Sequence, residues 1–178
     1  MKRILAVLVE NHPGVLTRVA GLIRRRGFNI DSMAVGRTED PAISRMTLVV
    51  DGDEPTIRQV VQQLQKLIEV LEVRDLDRDD SVSRELALVK VSADPERRPQ
   101  ILQLAGVFRA NVIDVGRESV TIEVTGTHDK VEALINVARE FGIREVVRTG
   151  VIAIERGGLG VRTESEELNN DGAYVLRN

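Results

Sequence analysis

The residues of this sequence best placed to do chemistry lie at 10–16, ENHPGVL. An apolar, β-branched run precedes them and an amphipathic run follows from Val15, so they join a strand to a helix. The first backbone N–H groups of a helix have no intrahelical partner and carry partial positive charge, which makes them a cradle for a carboxylate. Gly14, with no Cβ, would let a ligand's backbone approach closely. Asn11 offers both a donor and an acceptor, suited to an ammonium or a carboxylate. Across a symmetric interface, Asn29 at the start of the second strand could supply the opposing polar contact. Val15, Leu16 and Ile30 could then enclose a small aliphatic side chain. Asn-x-Pro-Gly is equally a common turn in which Asn11 only caps a helix, and local sequence leaves both readings open.

Other chemistry finds little support. His12 and His128 fall in expected loops far apart, without an H-E-x-x-H pattern or clustered carboxylates, and read as surface residues. Cysteine is absent, which removes disulfides, thiolate metal sites and cysteine nucleophiles and fits a reducing compartment. Ser81 and Ser83 have no G-x-S-x-G elbow, and no periodic helix follows Gly157, Gly158 and Gly160. The chain is therefore expected not to be an enzyme. A net charge of −3 and 2% aromatic residues leave neither the basic footprint nor the stacking surface that nucleic acid requires. The arginines at 24–26 are explained by a solvated helix end and its dipole. No run approaches the ~20 apolar residues that cross a bilayer. The opening MKRILAVLVENHPG is too short in its apolar part for a signal peptide and reads as a strand, so a cytoplasmic location is expected.

These residues need elements to hold them. Strand signals cover residues 2–9, 28–35, 44–50 and 70–76. One helix runs from Val15 through Val19, Leu22 and Ile23 to a stop at Gly27, with Arg24, Arg25 and Arg26 in its last turn. A second opens at Asp53 or Glu54 with Pro55, and its apolar stripe is Ile57, Val60, Val61, Leu64, Leu67 and Ile68. The order β-α-β-β-α-β is the ferredoxin-like pattern. After a polar segment, RDDSVSR, the order repeats: strand 86–91, helix 98–108, strands 111–115 and 119–124, helix 130–141 and a closing strand 143–154. The expected fold class is thus α+β, with two ferredoxin-like domains at 1–77 and 85–156, a linker at 78–84 and a floppy tail at 157–178. Each unit is small enough for its core to be marginal, so open sheet edges should pair in a homodimer.

The stretch ILAVLVENHPGVLTRVAGLIRRRGFNIDSMAVG, followed by DPAISRMT, resembles the small regulatory subunit of acetolactate synthase (acetohydroxyacid synthase). The later LALVKV and NVIDVG fit the same family, and the resemblance spans residues 1–157. It implies an N-terminal ACT domain followed by an ACT-like domain. It also implies a side-by-side dimer with valine or a related branched-chain amino acid at the interface. Asn11, Gly14, Val15 and Leu16 of one subunit would then meet Asn29 and Ile30 of the other. The implied partner is the catalytic subunit, which carries thiamine diphosphate, magnesium and FAD; this chain is expected to bind no cofactor or metal. Candidate contacts for that partner are the turn at 38–42, the outer helix faces of the first domain and the second domain. The competing reading is a stand-alone ACT-domain amino-acid sensor acting on another enzyme or on a transcriptional component. The β-α-β-β-α-β order also occurs in RNA-recognition and metal-chaperone domains. Strands without aromatics and a chain without C-x-x-C exclude both.

Overall fold

The computed structural model describes residues 1–76 and 81–157. They form two units: residues 83–152 make unit 2, and unit 1 takes residues 1–76, 81–82 and 153–157. Each is a layer of two helices on an antiparallel sheet, so the fold is α+β with two ferredoxin-like units in tandem.

Unit 1 runs β1 (Lys2–Glu10), α1 (Val15–Arg26), β2 (Asn29–Arg37), β3 (Ile43–Asp51), α2 (Glu54–Leu64) and β4 (Val70–Leu76). The sheet order is β2-β3-β1-β4, which leaves β2 at an edge. Alternation sets the core: Leu5, Val7 and Val9 of β1 and Met46, Leu48 and Val50 of β3 face the helices. Val19 and Leu22 of α1 and Ile57, Val60 and Leu64 of α2 meet them at helical spacing. Ile4, Ala6 and Leu8 are buried as well, so β1 is covered on both faces. On the face away from the helices, Arg45 Nη2 donates to the Ala153 carbonyl at 2.7 Å, and Arg74 pairs with Glu155 at 3.1 Å.

Helix ends follow local chemistry. Asp53 caps α2, accepting the Thr56 N–H at 3.0 Å, and Pro55 sits within the first turn where no donor is lost. At the end of α1 the chain passes through Gly27 at φ 68°, and the Phe28 N–H bonds back to the Ile23 carbonyl. α2 stops sooner than its apolar stripe suggests. The chain turns after Leu64, Leu67 is half-buried and Ile68 is 89% exposed.

Unit 2 contains most of β5 (Ser81–Ser92), then α3 (Arg98–Val107), β6 (Asn111–Val115), β7 (Ser119–Gly126), α4 (His128–Ala138) and β8 (Ile143–Arg148). Its sheet order is β6-β7-β5-β8. A short 3-10 turn, Arg139–Phe141, follows α4. Three features differ from the sequence expectation. β5 begins at Ser81, inside the segment read as a linker; residues 77–80 lie outside the described residues. The expected closing strand 143–154 is two strands, because Gly150 at φ 78° breaks it before β9 (Ile152–Glu155). His128 is not a plain surface residue: its Nδ1 lies 3.4 Å from the buried carboxylate of Glu85, with Arg148 at 4.0 Å from the same oxygen. The expected tail lies outside the described residues from 158 onward.

Candidate amino-acid-binding site

β1 ends at Glu10 beside Ile43, and the chain crosses to α1 in four residues. Two hydrogen bonds fix this crossing to the turn between β2 and β3. The Asn11 N–H donates to the Ala42 carbonyl at 2.7 Å, and Asn11 Nδ2 donates to the Pro41 carbonyl at 2.8 Å. Asn11 is therefore not a helix cap. Its amide is held by its donor end, which leaves the oxygen as the group offered to a ligand's ammonium.

The N-cap of α1 is Gly14, at φ 94° and ψ −20°. L residues rarely adopt this left-handed conformation, and a Cβ placed there meets nothing within 4 Å, so the space above Gly14 is open. No side chain caps the helix and its first turn carries no acid. Val15 N–H donates to the His12 carbonyl at 3.5 Å and Arg18 N–H to the Gly14 carbonyl at 3.0 Å, while among the described residues the N–H groups of Leu16 and Thr17 between them have no acceptor. The other helix starts are filled. Asp53 caps α2, Thr127 caps α4, and Asp94 accepts the Arg97 N–H at the head of α3. Among the described residues only α1 presents free N–H groups beside a glycine, the arrangement that receives a carboxylate.

Charged neighbours surround this start. His12 bonds to the Pro13 carbonyl at 3.1 Å and to Glu10 at 2.9 Å. The Pro13 carbonyl and then the Glu10 carboxylate hold its imidazole above its ordinary pKa. Glu69, buried below the turn, is paired with Arg18, and its carbonyl accepts the Glu10 N–H at 2.9 Å. The sequence gives no sign of Glu69 or Arg18 here, because their spacing of 51 residues carries no local pattern. Pro41 and Ala42, in the turn expected to contact a partner, hold Asn11 through their carbonyls.

The six expected site residues fall into two groups. Asn11, Gly14, Val15 and Leu16 are together at the head of α1. Val15 is buried in the core at 3% exposure, so it can offer a ligand its backbone and not its side chain; Leu16, 47% exposed, is the apolar neighbour that remains. Asn29 and Ile30 are at the far end of the sheet. Asn29 pairs with Asp51, which pairs with Lys2, whereas Asn11 follows Glu10. At ~3.3 Å per residue the length of β1 puts the two groups roughly 30 Å apart within one chain. Asn29 is exposed at the start of the edge strand, and Ile30 is half-buried against the core.

Two family models match the chain. One, described as the small subunit of acetolactate synthase, covers residues 84–157; the other, an AHAS small subunit-like ACT domain, covers residues 5–72. A probable acetolactate synthase small subunit from Archaeoglobus fulgidus is 55% identical over 157 residues, 88% of this chain and 98% of that protein. The acetolactate synthase small subunit of Mycobacterium leprae is 52% identical over 159 residues, 89% of this chain and 94% of the relative. The crystal structure of an acetolactate synthase small subunit from Thermotoga maritima superposes with a TM-score of 0.83 at 43% identity, covering 89% of this chain and 99% of that one. The chain belongs to the acetolactate synthase small-subunit family.

Proposed function

We propose that this chain raises the activity of an acetolactate synthase catalytic subunit and lowers it again when valine, or a related branched-chain amino acid, binds between the ACT domains of two copies. The observation that carries the reading is the open start of α1. A left-handed glycine, two unpartnered N–H groups and an anchored asparagine amide match the carboxylate and ammonium of an amino acid.

The second copy follows from the placement of the residues. β2 is an edge strand, and its far end leads into the turn that holds Asn11. Antiparallel pairing of β2 with the same strand of a second copy brings the partner's Asn29 and Ile30 to this turn, closing the roughly 30 Å gap that one chain leaves. Hydrogen bonds to the charged head group contribute about 1.5–3 kcal/mol each. Burying each methyl beyond alanine adds about 0.8 kcal/mol, so selection among aliphatic ligands rests on pocket size.

In this reading the chain is a non-catalytic subunit. Thiamine diphosphate, magnesium and FAD belong to the catalytic partner, and the complex works in the cytoplasm in branched-chain amino acid synthesis. No helix of the described residues is long and apolar enough to cross a membrane, and none of their His, Asp and Glu clusters could hold a metal. The test is addition of the chain to the purified catalytic subunit. Acetolactate formation should rise, and valine should reverse the rise. An unchanged rate without valine overturns the proposal.

A further inference from the structure

The helices of unit 1 carry a charge pattern that the amino-acid site does not use. Along α1 the exposed positions include Thr17, Arg18, Arg24, Arg25 and Arg26, and the helix has no acidic residue. Along α2 they include Arg58, Gln59 and Gln62, followed by Gln65 and Lys66 just beyond its end. The one acid of α2, Glu54, is 3.5 Å from Arg3 of β1, and Glu69 is buried and paired with Arg18. None of Arg24, Arg25, Arg58 and Lys66 has an acidic partner within 4.0 Å among the described residues. A helix dipole accounts for arginines at the end of α1. It does not account for Arg58 and Lys66, nor for a layer whose exposed acids among the described residues, Asp53 and Glu54, are confined to the head of α2. Ile68, 89% exposed in the turn after α2, adds an apolar anchor to the same end of the chain segment.

We propose that this helical layer is the face on which the catalytic subunit docks, and that the catalytic subunit offers it an acidic surface. The inference rests on the proposed function. Unopposed arginines steer an acidic protein and fix its orientation, while the glutamines supply neutral hydrogen bonds at the rim. One isoleucine is too little apolar area to enter a bilayer, and no aromatic is present to stack on a base. The layer leaves the edge of β2 free for a second copy. It also gives α1 two duties: its start holds the amino acid and its outer stripe meets the enzyme. Ligand binding therefore acts on the same helix that the enzyme touches.

The experiment measures association of the full chain with the catalytic subunit by interferometry over a range of salt concentrations. It compares the unaltered chain with the triple variant Arg24→Glu, Arg25→Glu, Arg58→Glu and its neutral counterpart with Gln at the three positions. Binding of the unaltered chain should weaken as salt rises. The Glu variant should bind at least about tenfold more weakly, with the Gln variant between the two. Valine titration reports that both variants remain folded. Equal binding and equal salt dependence in all three chains overturns the docking face while leaving the regulatory reading intact. Failure of the unaltered chain to bind at all overturns both. Salt-resistant binding of the unaltered chain to phosphatidylglycerol vesicles, lost in the Glu variant, assigns the face to lipid and also overturns the inference.

Discussion

Gly14→Asp is the substitution that most sharply separates a ligand site from a turn. A Cβ at this position meets nothing within 4 Å, so no clash at that atom contributes to the effect. The cost to folding is the φ of 94°, about 1–2 kcal/mol for an L residue and less for one that tolerates the left-handed region. The cost to binding is larger. A second carboxylate about 4 Å from the ligand's own repels it by ~1 kcal/mol in water and ~4 kcal/mol at the effective dielectric of a partly enclosed site. It also competes for the N–H groups of Leu16 and Thr17. Because the turn is exposed, the lower half of that range applies, and loss of the N–H contacts brings the affinity drop to at least about tenfold. Gly14→Ala is the control: it carries at least the same backbone strain without the charge. Calorimetric titration with valine and thermal unfolding of both variants complete the comparison. Similar stabilities with a valine affinity at least about tenfold lower in the Asp variant alone support the site. A Gly14→Asp chain that binds valine within about twofold of the unaltered chain refutes the reasoning.

Asn29→Ala should weaken valine binding by about tenfold or more without changing the thermal midpoint, since its side chain is exposed and removed from the core; titration and unfolding check both halves. Leu64→Ala empties a fully buried position of α2 and should destabilise unit 1 by about 2–5 kcal/mol, read by chemical denaturation. Arg148, hydrogen-bonded to Glu132, holds that carboxyl below its ordinary 4.5. Its contribution to stability is thus present above pH 4.5 and lost as pH falls through the folded value; acid unfolding of Glu132→Gln should be correspondingly less steep. His12 works in the opposite sense. Its pKa is raised, so its pairing stabilises fully below its ordinary 6.5 and fades as pH rises through the folded value, a slope that His12→Asn should remove.

The parts of the fold written in local pattern were legible in the sequence. The alternation of β1, the stripe of α1 and its Gly27 stop, and the Asp53 cap of α2 each follow from residues a few positions apart. Features that depend on distant partners were not. Ser81 and Ser83 look like a solvated linker, yet Ser81 is buried in β5; Glu85, further along the strand, is buried too, with His128 and Arg148 close to its carboxylate. The periodicity of α2 continues through Leu67 and Ile68 although the helix ends at Leu64, because the chain must turn there to enter β4. The return of the chain at Ala153 to unit 1 has no sequence signal, since it rests on Arg45 and Arg74. At the site, the residue types around Gly14 were readable. The hold of Pro41 and Ala42 on Asn11, the burial of Val15 and the pairing of Glu69 with Arg18 needed the three-dimensional arrangement.

The central claim is an amino-acid site assembled from two copies of the chain, with Gly14 from one and Asn29 from the other. It is tested most directly by mixing Gly14→Asp chains with an equal amount of Asn29→Ala chains, allowing subunits to exchange, and titrating valine into the mixture. Each variant alone should bind valine at least about tenfold more weakly than the unaltered chain. A mixed dimer unites both lesions in one site and leaves the other site intact, so about a quarter of the sites should regain full affinity. No recovered binding after verified exchange would contradict a shared site and return Gly14 and Asn29 to separate, structural roles.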